Sequence, residues 1–327
     1  MMRSWAGRRH LACVILAATL SALAGAAVAA DPAPRQPVSK KPKQPGIDYA
    51  REVPQLQAQV QHGDVNAMEL LGELYAGGLG VTRDPQRACD LFERAAAKEL
   101  AEAQHNFADC WRYGLGRPRD YAKSADWYGR AIKRGFLPSY CALGDQYRYG
   151  LGVPQDKAKA FELCTKGSEN GDPDTLTTLG QMYLGGEGTP RAPVKAIDVL
   201  RRAAEQDQAN AARLLGLIYF NGDGVARDPN AARDWLMRAA DGGRRDAFLP
   251  LGKLFLAASG DIPAGKLVDG NAVPALFWLR LASDYDPLPA RRAEAQKLYD
   301  RLAAAAPALV QRIEPELKPW RDAMGKP

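Results

Sequence analysis

Histidine is scarce in this chain: there are three in 327 residues. No CxxC pair occurs, and the cysteines number only five. A structural zinc site needs closely spaced thiolates and imidazoles, so that class is excluded. No GxSxG, HExxH or SxxK motif stands where it would serve catalysis, and no catalytic residue is assigned. The stretch "GDIPAGKL" (260–267) approaches a phosphate-binding loop but has Leu267 where a hydroxyl must meet magnesium. It follows a helical pattern rather than a strand, and no cofactor is implied. Charge of one sign is also lacking. The formal charge of +6 includes Arg3, Arg8 and Arg9 of the first thirty residues. Without them 41 basic side chains face 38 acidic ones, a balance that excludes a nucleic-acid surface.

Long apolar runs are missing beyond the N-terminus. There, a cationic start precedes an apolar stretch from Leu11, and small residues close it at Ala27-Val28-Ala29-Ala30. This is the pattern of a secretory signal peptide over residues 1–30, cleaved after Ala29 or Ala30. The apolar part is too short and too rich in Ala and Gly for a membrane anchor. Residues 31–46 carry five prolines and four basic side chains with almost no large apolar group, the composition of a disordered linker. The expected location is the periplasm or the exterior.

Repetition fills the rest. A step of 36 residues connects Gly72, Ala108, Gly144, Gly180, Gly216 and Gly252. The same step connects Gly80, Gly116, Gly152, Gly188, Gly224 and Gly260. It also links the aromatics Tyr75, Trp111, Tyr147, Tyr183, Tyr219 and Phe255, and the small residues that follow Ala88 and Ala95. The sixth copy slips by seven residues after Gly260 and recovers with Ala275, Trp278 and Ala282. Such a period denotes a solenoid. Each unit reads as two amphipathic helices. The Gly80 ladder is expected to end the first helix through a left-handed residue. Asp84, Asp120, Asp156 and Asp228 are expected to cap the second helix. Ala192 stands at that position in the fourth unit and predicts a frayed start. The Gly72, Ala88 and Ala95 ladders let antiparallel helices approach closely, and the aromatic ladder reads as core packing.

These in-register positions resemble the Sel-one-like repeat family, a relative of tetratricopeptide repeats. The resemblance implies an all-α, right-handed α/α superhelical solenoid of about six repeats over residues 64–285. It implies a binding role toward other macromolecules and no single reaction. Residues 47–63, with Val53, Leu56 and Val60 on one face, are expected to cap the first repeat. Residues 286–327 are expected to cap the last, because an uncapped array exposes apolar surface.

Four cysteines follow the leader. The hairpin turns place Cys89 opposite Cys110 and Cys141 opposite Cys164, which predicts two disulfides in an oxidising compartment. The alternative is four buried free thiols. By analogy with tetratricopeptide repeats, a groove is lined by positions three before and one, four and five after the Gly72 ladder. They are His105, Asp109, Arg112 and Tyr113 in the second repeat, and Cys141, Asp145, Arg148 and Tyr149 in the third. Glu69 and Glu73 begin the first. Leu217, Phe220, Asn221, Lys253 and Leu256 make the far end more apolar. Arg112 and Arg148 are expected to grip one carboxylate and Tyr113 and Tyr149 to stack on a peptide or sugar. The simpler expectation is an ion pair within each helix, Asp109 with Arg112 and Asp145 with Arg148. The expected function is a scaffold for a protein or peptide partner of the cell envelope. The alternatives are a cell-wall or β-lactam-acting enzyme and a structural part of a polysaccharide-export assembly.

Overall fold

A computed structural model describes residues 48–261, 266–267 and 269–325. The leader and the whole proline-rich segment 31–46 lie outside the described residues, as does part of 260–267. The described chain is a succession of helices, each packed on the next. Helix α1 (Tyr49–Gln61) comes first, with Val53, Leu56 and Val60 buried. Five hairpins follow: α2 (Val65–Gly77) with α3 (Pro85–Ala96), α4 (Ala101–Tyr113) with α5 (Tyr121–Lys133), α6 (Pro138–Tyr149) with α7 (Lys157–Gly167), α8 (Pro173–Gly185) with α9 (Pro193–Ala204), and α10 (Ala209–Asn221) with α11 (Pro229–Asp241). A sixth pair joins α12 (Phe248–Ala257) to α13 (Asp269–Tyr285). Two-residue strands at Gly260–Asp261 and Lys266–Leu267 pair between them. Helices α14 (Pro289–Ala305) and α15 (Pro307–Met324) close the described chain, and α15 carries Pro315 and Pro319 within it. This is an all-α solenoid.

The small-residue ladder does what its spacing predicts. A methyl group on Gly72 would lie 2.6 Å from the Phe92 ring, and one on Gly180 or Gly216 2.6 Å from Leu200 or Leu236. At these glycines no side chain fits where the two helices of the hairpin cross.

The turn departs from the sequence reading. The residue that ends each first helix is Gly78, Gly114, Gly150, Gly186 or Gly222, two positions before the Gly80 ladder. Each is left-handed, and each returns its N–H to a helix carbonyl, Leu74 O in the first case. The Gly80 ladder is left-handed too, but it has a second duty. A Cβ at Gly152 would sit 2.4 Å from the backbone of Tyr121–Ala122, and one at Gly188 only 1.9 Å from the Lys157 carbonyl. These glycines let each turn press on the start of the preceding second helix. The repeats therefore touch where only backbone fits.

Asp84, Asp120, Asp156 and Asp228 cap their helices as expected, each accepting from backbone N–H groups of the first turn. Ala192 offers no side-chain cap, yet α9 starts at Pro193 in register with Pro85 and Pro229. The Ala196 N–H still bonds Ala192 O, and proline at the first position pre-sets the helical φ. The aromatic ladder is only partly core. Tyr75 is buried, whereas Trp111, Tyr147, Tyr183 and Tyr219 are half-buried. A cation twelve residues on lies over the ring in four cases: Arg87, Lys123, Lys159 and Lys195, at 5.6, 4.2, 4.1 and 5.9 Å.

Candidate functional site

Of the groove residues predicted from sequence, Leu217, Phe220, Asn221, Lys253 and Leu256 lie on α10 and α12, and the others on α2, α4 and α6. These three first helices present the same register position in successive repeats. The within-helix ion pairs expected there are replaced by pairs between repeats. Arg112 Nη2 lies 3.2 Å from Asp145 Oδ2, and its Nη1 donates to the Ala142 carbonyl at 3.1 Å. Arg148 donates through Nε to Glu187, in the turn after α8. Both guanidinium groups are buried, at 8% and 7% exposure. The two arginines therefore do not converge on one vacant carboxylate site. Asp109 already accepts from Tyr128 and Asp145 from Arg112, and each arginine finds its acceptor in the next repeat.

Burial works against the Arg112 charge, but Tyr128, Tyr113, Asp145 and Asp109 outweigh it and hold its pKa well above the ordinary value. The hydrogen bond from Arg148 lowers the Glu187 pKa, with burial opposing. Each arginine also lies against the aromatic beside it: Arg112 is 5.4 Å from the Tyr113 ring and Arg148 5.1 Å from the Tyr149 ring. Tyr149 is 39% exposed, one of few large apolar side chains so open. The arrangement is thus a pair of tyrosines held by arginines that are themselves fixed between repeats.

Asp109 is engaged from below. The fully buried Tyr128 hydroxyl donates to it. Burial first, and the Asp109 charge second, push the Tyr128 pKa well up, so the hydroxyl keeps its proton. His105 Nε2 is 4.0 Å from Asp109 Oδ2, and His105 Nδ1 is 2.9 Å from Ser139 Oγ. Serine, histidine and aspartate in a row suggest acyl-transfer chemistry. Ser139, however, has no exposed surface, so a substrate carbonyl does not reach it. The three side chains instead tie α4 to α6. Tyr128, Ser139 and Glu187 were not among the residues singled out from sequence; nothing in a 36-residue ladder marks a hydroxyl donor to a groove acid.

Glu69, Glu73 and Glu102 form an acidic group at the first-repeat end, with ligating atoms within 4.8 Å of one another and Asn106 donating to Glu69. At the far end, Arg213 pairs with Asp246 at 3.3 Å and Lys253 with Glu294 at 2.6 Å. Phe220 and Leu256 are half-buried. Cys141 is not a groove residue: it is buried and lies at disulfide distance from Cys164, as Cys89 does from Cys110.

A profile of the Sel1 repeat matches residues 65–100, 101–136, 137–172, 177–208 and 209–243, more than half of the chain. The chain belongs to the Sel1 repeat family. A search of curated proteins finds no match. Among solved structures, it is similar to a protective antigen of uropathogenic Escherichia coli strains that displays an SLR fold. That similarity has 25% identity and a TM-score of 0.55, over 77% of this chain and 58% of the antigen. The chain thus spans less than two thirds of the antigen's length. It is also similar in fold to a Sel1 repeat protein of Oxalobacter formigenes, at 23% identity and a TM-score of 0.60, over 74% of this chain and 94% of that one. Sel1 repeats are typically non-enzymatic scaffolds that mediate protein–protein interaction. The helix boundaries of this Sel1 protein put one hairpin in each matched repeat.

Proposed function

We propose that this Sel1 protein is exported to the periplasm and holds an extended peptide or protein partner of the envelope on the face formed by α2, α4 and α6. The observation that carries the reading is the tyrosine pair. Tyr113 and Tyr149 stand in successive repeats, each backed by an arginine locked into an inter-repeat pair. Fixed aromatics lose little freedom on binding, which favours them as contacts. In this reading Asp109, Arg112, Asp145 and Arg148 position the tyrosines, and the tyrosines meet the partner. No helix among the described residues is long and apolar enough to cross a membrane. The two cysteine pairs suit an oxidising compartment.

Alanine at Arg112 is a poor test. Removing one partner of a buried ion pair costs about 3–5 kcal/mol and unsettles the fold. The better experiment places a photo-crosslinking residue at Tyr149 in the native envelope, with Val194 as control; Val194 is 60% exposed on α9. The expected result is one discrete adduct at Tyr149, absent at Val194 and weakened by Tyr113→Ala. Identical products at both positions would refute the reading. Sequencing the mature N-terminus checks export, with cleavage expected after Ala29 or Ala30.

A further inference from the structure

A crevice between α3, α5 and the start of α4 encloses about 390 Å³ and is lined by Ala96, Ala97, Glu99, Gln104, Trp127, Arg130, Lys133 and Arg134. We propose that it binds the free carboxyl end of a polypeptide. Another in-phase ladder runs through Arg94, Arg130, Lys166, Arg202 and Arg238. Arg94 donates to the Val60 carbonyl at the end of α1, and Arg238 to the Ala204 carbonyl at the end of α9. In these two repeats the cation spans the gap to the preceding second helix and complements its negative end, while Lys166 pairs with Glu169 instead.

The equivalent carbonyl for Arg130 is Ala96 O, and Arg130 does not take it. It pairs with Asp126 at 2.8 Å and lies over the Trp127 ring at 4.2 Å. The Ala96 carbonyl receives a 3.4 Å bond from Gln104 Nε2 instead. The space that Arg238 fills three repeats later is open here.

Gln104 sharpens the point. Its register position holds Met68, Tyr140, Leu176 and Ala212 in other repeats. Only here is an amide buried, at 4% exposure. With Nε2 directed at Ala96 O, the amide orientation is fixed, because two oxygens do not face each other. Its Oε1 then accepts no hydrogen bond among the described residues. An unmet buried acceptor costs about 1–3 kcal/mol and calls for an N–H or O–H donor.

A chain terminus supplies what each wall asks for. Its carboxylate meets Lys133 and Arg134, its side chain lies along Trp127 and Ala97, and its last backbone N–H reaches Gln104 Oε1 once the crevice wall, which closes over that atom, gives way. Arg134 already pairs with Glu99, but both are exposed, at 47% and 66%, so an incoming carboxylate exchanges one weak pair for another. The volume falls in the range of small-molecule pockets and holds the last residue or two. Capture of a terminal carboxylate is an established mode of peptide recognition. This site is separate from the tyrosine face and stands or falls independently of it.

The test uses acetylated tripeptides ending in each of the twenty amino acids, each made as the free acid and as the amide. They are titrated into the oxidised mature protein while the Trp127 indole N–H is followed by NMR. At least one acid is expected to shift that signal and to bind at least tenfold more tightly than its amide. Lys133→Glu, on an exposed residue, is expected to weaken it at least tenfold. Gln104→Met, the residue of the preceding repeat, is expected to weaken it about three- to tenfold, the worth of one hydrogen bond. Arg233→Glu serves as the distant control and should change nothing. Equal binding of acid and amide, no response from any acid, or indifference to Lys133→Glu would each overturn the proposal.

Discussion

From α8 to α15 one continuous apolar cluster runs from Leu176 to Leu317, through Leu200, Leu215, Leu236, Leu276 and Ile313. Between α2 and α7 the core is broken into three clusters, two of them only a few residues wide. One ladder locates the break. The position that meets the small residue of the first helix is Phe92, Tyr128, Cys164, Leu200 and Leu236 in turn. Leucine fills it in the later repeats. In the second and third repeats a hydroxyl and a sulfur stand there, and polar or covalent links take over. Both disulfides, the Tyr128–Asp109 bond and the Arg112–Asp145 pair all fall in the broken half. The same backbone plan thus rests on one unbroken apolar core in the later repeats, whereas around the second and third repeats specific links supplement a divided one.

That comparison is broken most forcefully by removing the disulfides. Each closes a loop of just over twenty residues, a sequence separation of 21 or 23, and chain entropy assigns each about 3 kcal/mol. Replacing all four cysteines with alanine is expected to lower amide protection in α2 to α7 and to leave α10 to α13 largely unchanged. Native-state hydrogen exchange reads both halves at once. A uniform loss, or a loss centred on the leucine-rich half, would show that the disulfides do not compensate for the divided core.

Much of this plan was legible in the sequence, because repetition amplifies local signals. Six copies of one register position identify a helix crossing more surely than any single glycine does. The cysteine pairing followed from turn centres alone. What escaped were the ion pairs that join the first helix of one repeat to the next repeat. Arg112 and Asp145 are 33 residues apart, and so are Arg213 and Asp246. A search for opposite charges at that offset would have found both, but comparing equivalent positions does not. The choice between Gly78 and Gly80 escaped for another reason. Both ladders are in phase, and only the approach of the preceding repeat distinguishes a cap from a contact.

A smaller effect is expected from Tyr128→Phe. The ring and its packing remain, and only the donor to Asp109 is lost. A hydrogen bond to a charged group is worth about 1.5–3 kcal/mol. Denaturant unfolding followed through the first half should move by that amount, with an unchanged m-value. Leu236→Met, at the same ladder position in the leucine-rich half, should cost less than about 1.5 kcal/mol, because volume is kept and no polar group is orphaned. If the two variants cost the same, the polar links of the first half would be incidental to its stability.

The smallest change sharpens the comparison from the other side. Ala192 has φ −144° and ψ 75°, close to Asp84 at −140° and 88° and Asp228 at −132° and 95°. The backbone already holds the cap conformation, Pro193 already occupies the first helical position, and only the acceptor is missing. Ala192→Asp therefore asks for no rearrangement. Its carboxylate accepts from the first-turn N–H groups and lies at the positive end of α9. The expected gain is about 0.5–2 kcal/mol, read as a higher denaturation midpoint for the leucine-rich half. A gain there would mean that the half held by apolar burial tolerates, on a second helix, an unsatisfied start that the capped second helices α3, α5 and α7 do not have. Measured indifference would mean instead that proline and the Ala192 carbonyl alone fix where the helix begins.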